Sequence, residues 1–112
     1  MVATDSKSVP QKDRVFLSIA DPSRRRILEM LAQGERPVGR IAEQFAMSRP
    51  AVIKHLRVLR AANLISVRRR GRESIHSLNP TPLKTVHGWL SKFEGFWGEK
   101  LENLKQQVEK EP

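Results

Sequence analysis

Ten cationic side chains fall between positions 36 and 72 of this 112-residue chain: Arg36, Arg40, Arg49, Lys54, Arg57, Arg60, Arg68, Arg69, Arg70 and Arg72. One acid, Glu43, stands among them. Their chemistry is anion recognition. A guanidinium offers paired donors that fork onto a phosphate or onto a guanine edge, and an ammonium acts as a point charge. From Glu73 onward five lysines face six glutamates, so the charge is concentrated and not spread as a solubilising coat. With a net charge of +9 and a pI near 10.9, a polyanionic partner is implied, either nucleic acid or an acidic membrane. Other chemistries find little support. The absence of cysteine excludes disulfides, thiolate metal sites and thiol redox switches. No nucleophile-base-orienter set, phosphate loop or carboxylate pair in one cleft can be traced, which argues against an enzyme, and no cofactor is implied. The chain lacks a membrane-spanning apolar run and a signal-peptide core, so a cytoplasmic protein without a membrane partner is expected.

The elements that must position these cations follow from periodicity. Residues 1–11 are polar and aperiodic and read as a flexible N-terminal arm; 12–112 read as one domain. Residues 13–20 suit a short helix. Asp21 caps a second, with Pro22 at its first position and Ile27, Leu28 and Leu31 on its apolar face; Gly34 follows its end. A third helix over about 38–46 presents Ile41, Ala42 and Phe45, and Met47-Ser48 forms a turn. Ser48 caps a fourth helix to about residue 62. Val52, Leu56 and Leu59 share one side of that helix with His55 on their flank, while Pro50, Ile53, Lys54 and Arg57 point away and Arg49 lies at the edge. An apolar Ile53 on a basic face suits a helix pressed into a groove, where it would meet a thymine methyl.

After Asn63, a residue that tolerates the left-handed conformation, the period changes to two. Residues 64–68 and 73–78 alternate around Arg69-Arg70-Gly71-Arg72, which predicts a β-hairpin over about 64–79 with arginines at its tip. His76 reads as a solvated hairpin residue. Pro80 and Pro82 then open a final helix over about 81–109. Its apolar positions Leu83, Val86, Leu90, Phe93, Trp97, Leu101, Leu104 and Val108 are spaced 3-4-3-4-4-3-4, a heptad seam with one additional four-residue step. Trp89 and Phe96 form a second stripe. At about 1.5 Å per residue such a helix is roughly 40 Å long, longer than a small domain covers alone. Its core can absorb the first half of the seam, so a dimer interface is expected for the rest. The dimerisation set is Phe16, Leu83, Val86, Trp89, Leu90, Phe93, Trp97, Leu101 and Leu104. An unidentified small-molecule effector beside Trp89, Phe93 and Phe96 is an alternative use of those rings.

The expected fold is mainly α with a small β-hairpin wing: four helices, two strands and a long last helix, a winged helix-turn-helix. In that arrangement Ser48, Arg49, Pro50, Ile53, Lys54 and Arg57 enter a DNA major groove, and Arg68, Arg69, Arg70 and Arg72 meet the backbone or minor groove.

Several runs carry a family resemblance: Asp21-Pro22-Ser23-Arg24-Arg25-Arg26-Ile27-Leu28, Ile41-Ala42-Glu43, SRPAVIKHLRVLRAANLI from Ser48 to Ile65, and RRRGRESIHSLNP from Arg68 to Pro80. Together they resemble the ArsR/SmtB repressors over nearly the whole chain after residue 12. The resemblance implies a homodimer, an operator bound by the fourth helix, and a β-wing. The tail from Phe96 to Leu101 with Leu104 resembles a subgroup without a metal site. The chain departs from the family pattern at Ile53 (usually small and polar), Asn63 (often Gly) and His76 (often Tyr). Pro37 and Gly39 stand where metal-sensing members carry a Cys-x-Cys pair, and His87 with Glu94 supplies too few ligands for the other common site. The reading is therefore a dimeric repressor of a palindromic operator that does not respond to metal. A non-specific nucleic-acid-binding or chromosome-associated protein, and a protein-interaction module using the aromatic tail, are the alternatives.

Overall fold

The computed structural model describes residues 9–110, except the side chains of 101 and 107–110. Its elements are α1 (Gln11–Ile19), α2 (Pro22–Ala32), β1 (Arg36–Pro37), α3 (Val38–Ala42), α4 (Arg49–Ala61), β2 (Ile65–Arg70), β3 (Glu73–Leu78), a 3₁₀ turn (Thr81–Leu83), α5 (Lys84–Ser91) and α6 (Glu94–Lys110). The first helix begins inside the expected arm: Gln11 opens α1 and donates from Nε2 to the Ala62 carbonyl at 2.6 Å. The remainder of that arm, residues 1–8, lies outside the described residues.

Polar side chains set the helix ends. Asp21 accepts from the Arg24 amide at 3.0 Å and Ser48 from the Ala51 amide at 3.3 Å, each occupying an amide that the first helical turn leaves unpaired. The carbonyls ending α1 are met from α2. Arg24 donates to Ser18 and Leu17, and Arg25 donates to Ile19 and Ala20. The run of arginines after Asp21-Pro22 thus closes the preceding helix while its backbone builds the next one.

The end of α4 fixes where the hairpin starts. Asn63 adopts φ 59°, the left-handed conformation expected of it. Its amide reaches the Arg60 carbonyl at 3.0 Å, and the Leu64 amide reaches back to Leu59 at 3.0 Å. This pair of bonds is the Schellman closure, with its usual apolar contact supplied by the fully buried Leu59 and Leu64. Asn79 locks the far side, its amide bonding the Leu64 carbonyl and its Nδ2 the Asn63 carbonyl.

Val15, Ile27, Leu28, Met30, Leu31, Ile41, Val52, Leu56, Leu59, Ala62, Leu64 and Ile65 form the core. The inward positions expected on α2 and α4 are all among them. Removing one, such as Leu59→Ala, would cost about 2–5 kcal/mol.

Three features differ from the sequence expectation. The sheet has three strands in the order β1-β3-β2, with Arg36 opposite His76 and Pro37 opposite Ile75. The third helix is only one turn long before its bonding tapers through Gln44 to Ile41 and Phe45 to Ala42. The last helix is not continuous. Lys92 and Phe93 bond three residues back, to Trp89 and Leu90, and this tightening separates α5 from α6. Gly88, Gly95 and Gly98 weaken helix propensity on both sides of that break.

Candidate nucleic-acid interface

Register decides which arginines act together. In the hairpin Val67 pairs with His76, Arg68 with Ile75, Arg69 with Ser74 and Arg70 with Glu73, so Gly71-Arg72 is a two-residue turn. Gly71 carries φ 64°, where a side chain would be strained. Contrary to the expected arginine-rich tip, Arg68, Arg69 and Arg70 belong to β2, and Arg72 alone of the four sits in the turn.

The alternation of the strands then distributes them. Arg68 and Arg70 share a face with Ile75 and Pro37; Arg69 shares the opposite face with Val67, Ser74 and His76. On the first face Arg68 forms an ion pair with Glu35. Arg70 borders a polar depression with Arg36, Arg40, Glu43 and Glu73. Arg36 and Arg40 were absent from the expected contact set. They lie in β1 and in the α3 that follows it, and a two-residue strand containing proline leaves no periodic signal by which to find it.

On α4 the side chains of Ser48, Arg49, Pro50, Lys54 and Arg57 are exposed. Arg49 and Arg72 border one depression with Gly39, Glu73 and Ser74, so the helix start and the hairpin turn meet although 23 positions separate them in sequence (72 − 49). Ile53 does not stand free on the basic face. It is half-buried and faces a cleft with Leu56, Val67 and His76.

His76 overturns its expected place in solvent. It is 6% exposed, and its Nδ1 is buried with no hydrogen-bond partner. Burial pushes its pKa below the usual histidine value and the Arg60 charge pushes the same way, against a weaker upward pull from the nearby Ser74 backbone. Ile75 and His76 are adjacent, so they point to opposite faces. Both are buried because β3 is the central strand.

The expected interface residues divide. Leu83 and Val86 are half-buried and pack on the chain's own core. Leu90 is half-buried, and the Leu101 side chain lies outside the described residues. Phe16 meets Trp89 edge-on at 5.8 Å between centroids, and Trp89 meets Phe93 at 5.1 Å. Trp89, Phe93, Phe96, Trp97 and Leu104 remain exposed, between 38% and 58%. Among the described residues no three of His, Cys, Asp and Glu lie together as a metal site, and no helix is long and apolar enough to cross a membrane.

Comparison with known proteins gives concordant matches. The family model described as "Bacterial regulatory protein, arsR family" matches residues 21–67. The chain is 41% identical to the transcriptional repressor SdpR of Bacillus subtilis, over 72% of this chain and 90% of that protein. It is 37% identical to the HTH-type transcriptional regulator Rv2034 of Mycobacterium tuberculosis, over 88% of this chain and 90% of that protein. An ArsR-like transcriptional regulator from Rhodococcus sp. RHA1 superimposes with a TM-score of 0.65 at 27% identity, over 90% of this chain and 95% of the other.

Proposed function

This chain belongs to the arsR family of bacterial regulatory proteins, and from that premise we propose that it is a dimeric repressor that occludes a palindromic operator. That it is a winged helix-turn-helix, DNA-binding transcriptional regulator and not an enzyme follows from the family itself. Dimerisation, the operator's symmetry and the absence of a metal response belong to the proposal.

One observation carries the reading. Arg49 at the reading end of α4 and Arg72 in the hairpin turn border the same depression. A groove-inserted helix therefore brings the wing against the adjacent backbone without rearrangement. In this scheme Ser48, Arg49, Pro50, Lys54 and Arg57 meet the major groove, with Ile53 behind them. Arg69, Arg70 and Arg72 meet phosphates or the minor groove. Arg36 and Arg40 join Arg70 as further phosphate contacts.

The exposed aromatics of α5, α6 and the break between them support a two-fold partner: so many large apolar side chains left open at one end of a small chain's sequence favour an interface. Phe16, Trp89, Leu90, Phe93, Phe96, Trp97, Leu101 and Leu104 form it, and Leu83 and Val86 stiffen it from below. The two copies of α4 then sit in successive major grooves, about 34–36 Å apart. Pro37 and Gly39 offer no side-chain ligand, which supports regulation by something other than metal.

Selection of bound DNA from a random pool, followed by affinity for the selected site and for random duplex at one salt concentration, tests this. A specificity ratio near one would replace the repressor with a non-specific binder, since charge alone gives sequence-independent affinity.

A further inference from the structure

Between α4 and the wing lies a cleft of about 240 Å³, bordered by Val38, Ile53, Leu56, Arg57, Arg60, Val67, Ser74 and His76. Its surface is mostly aliphatic, with the guanidiniums of Arg57 and Arg60 exposed beside it. The buried imidazole of His76 borders it with Nδ1 unpaired. An unpaired buried polar atom costs stability comparable to a lost hydrogen bond. It persists here on a residue that borders the cleft.

We propose that this cleft binds a small monocarboxylic acid with a compact apolar body, and that the acid releases the protein from DNA. The volume lies below the roughly 300–1,000 Å³ of pockets for drug-sized ligands, which limits the occupant to a small molecule. Val38, Ile53, Leu56 and Val67 take its apolar body. The carboxylate, an acceptor-only group, pairs with Arg57 and Arg60 and receives the imidazole N–H. A water molecule would satisfy the ring but not the aliphatic walls, and an inorganic anion would satisfy the arginines alone.

Release from DNA rests on the regulator reading given above. The walls of the cleft are the reading helix and the wing, and Arg57 belongs to the DNA-facing set. An acid held there takes Arg57 from DNA and props β2 away from α4, so acid and operator compete. This is a binding site distinct from the aromatic surface around Trp89.

The test uses benzoate as the acid and benzyl alcohol as its neutral counterpart, on the full chain with ¹⁵N-labelled histidine. Benzoate should shift the His76 ring resonances saturably, and benzyl alcohol should not. At ten times its own Kd, benzoate should raise the apparent operator Kd roughly tenfold by mass action. Arg60→Gln, which lies outside the DNA-facing set, should weaken benzoate about tenfold and leave operator affinity unchanged. The site is overturned if His76 stays unmoved in protein that still binds its operator, or if benzyl alcohol and Arg60→Gln reproduce the wild-type benzoate response. Benzoate shifts at His76 that leave operator affinity unchanged would overturn the release step. Benzoate shifts in a protein with no operator preference would retain the site and overturn the repressor reading.

Discussion

Nη1 of Arg24 lies 3.3 Å from Nδ1 of His55, while the same guanidinium donates to the Ser18 carbonyl at 2.7 Å through Nε and to Leu17 at 3.1 Å through Nη2. A guanidinium carries only donors, so this contact is a hydrogen bond in the tautomer whose Nδ1 accepts. One side chain thereby joins the end of α1, the start of α2 and the flank of α4. Arg24→Ala should lower stability by about 1–2 kcal/mol, a part-exposed multiple of ordinary hydrogen bonds. Arg24→Lys should recover less than half, because a point ammonium cannot span three acceptors. Thermal denaturation measures both, and ¹⁵N spectra of His55 check the tautomer.

Asn63 tests the α4 closure. Asn63→Gly should leave stability within about 0.5 kcal/mol, since glycine adopts φ 59° freely. Asn63→Val should cost more than about 1 kcal/mol, because a branched side chain resists the left-handed region. Equal melting temperatures for the two variants would contradict the role given to this turn.

His76 sets a pH dependence. Its folded pKa is depressed below 6.5 by burial, so the unfolded chain binds the proton first as pH falls. Stability should therefore decline as pH drops below about 6.5, and level off only beneath the folded pKa. His76→Leu removes an unpaired buried polar atom, so it should fold at least as stably at pH 7 and show a shallower decline. A steeper decline in the variant would be incompatible with that assignment.

Arginines of the wing should not act alike. Arg69→Ala and Arg70→Ala should weaken all DNA sequences similarly and flatten the salt dependence by about one unit each, whereas Arg49→Ala should relax base preference. Arg68 is already paired with Glu35, so Arg68→Ala should matter less and Glu35→Ala should tighten DNA binding by freeing it. Titrations at several salt concentrations resolve these cases.

Trp97→Lys and Phe96→Lys should convert the proposed dimer to monomer with the helical content of the core retained. Both side chains are about half exposed and lie outside the core, so the variants act on association and not on folding. Sedimentation and circular dichroism distinguish the two effects.

The helices were legible where chemistry repeats. Capping residues and 3.6-residue spacing located α2 and α4, and Asn63 announced its own conformation. Non-local facts were not. The strand at Arg36–Pro37 has no alternation to detect, and without it β3 reads as a half-solvated strand and His76 as a surface residue. The break at Lys92–Phe93 arises from a local switch to three-residue bonding within a seam whose spacing suits a continuous helix. Ile53 was placed by a wheel that knows the helix but not the hairpin folded beside it.

The outer strand β1 has a further consequence. It is two residues long, and one of them is a proline, which has no amide hydrogen to offer. A sheet that ends this way cannot recruit another strand on that side, and its other edge, β2, carries Arg68, Arg69 and Arg70, whose charges oppose pairing with a second copy of the same strand. In the proposed dimer, self-association then falls to the helices and not to the sheet.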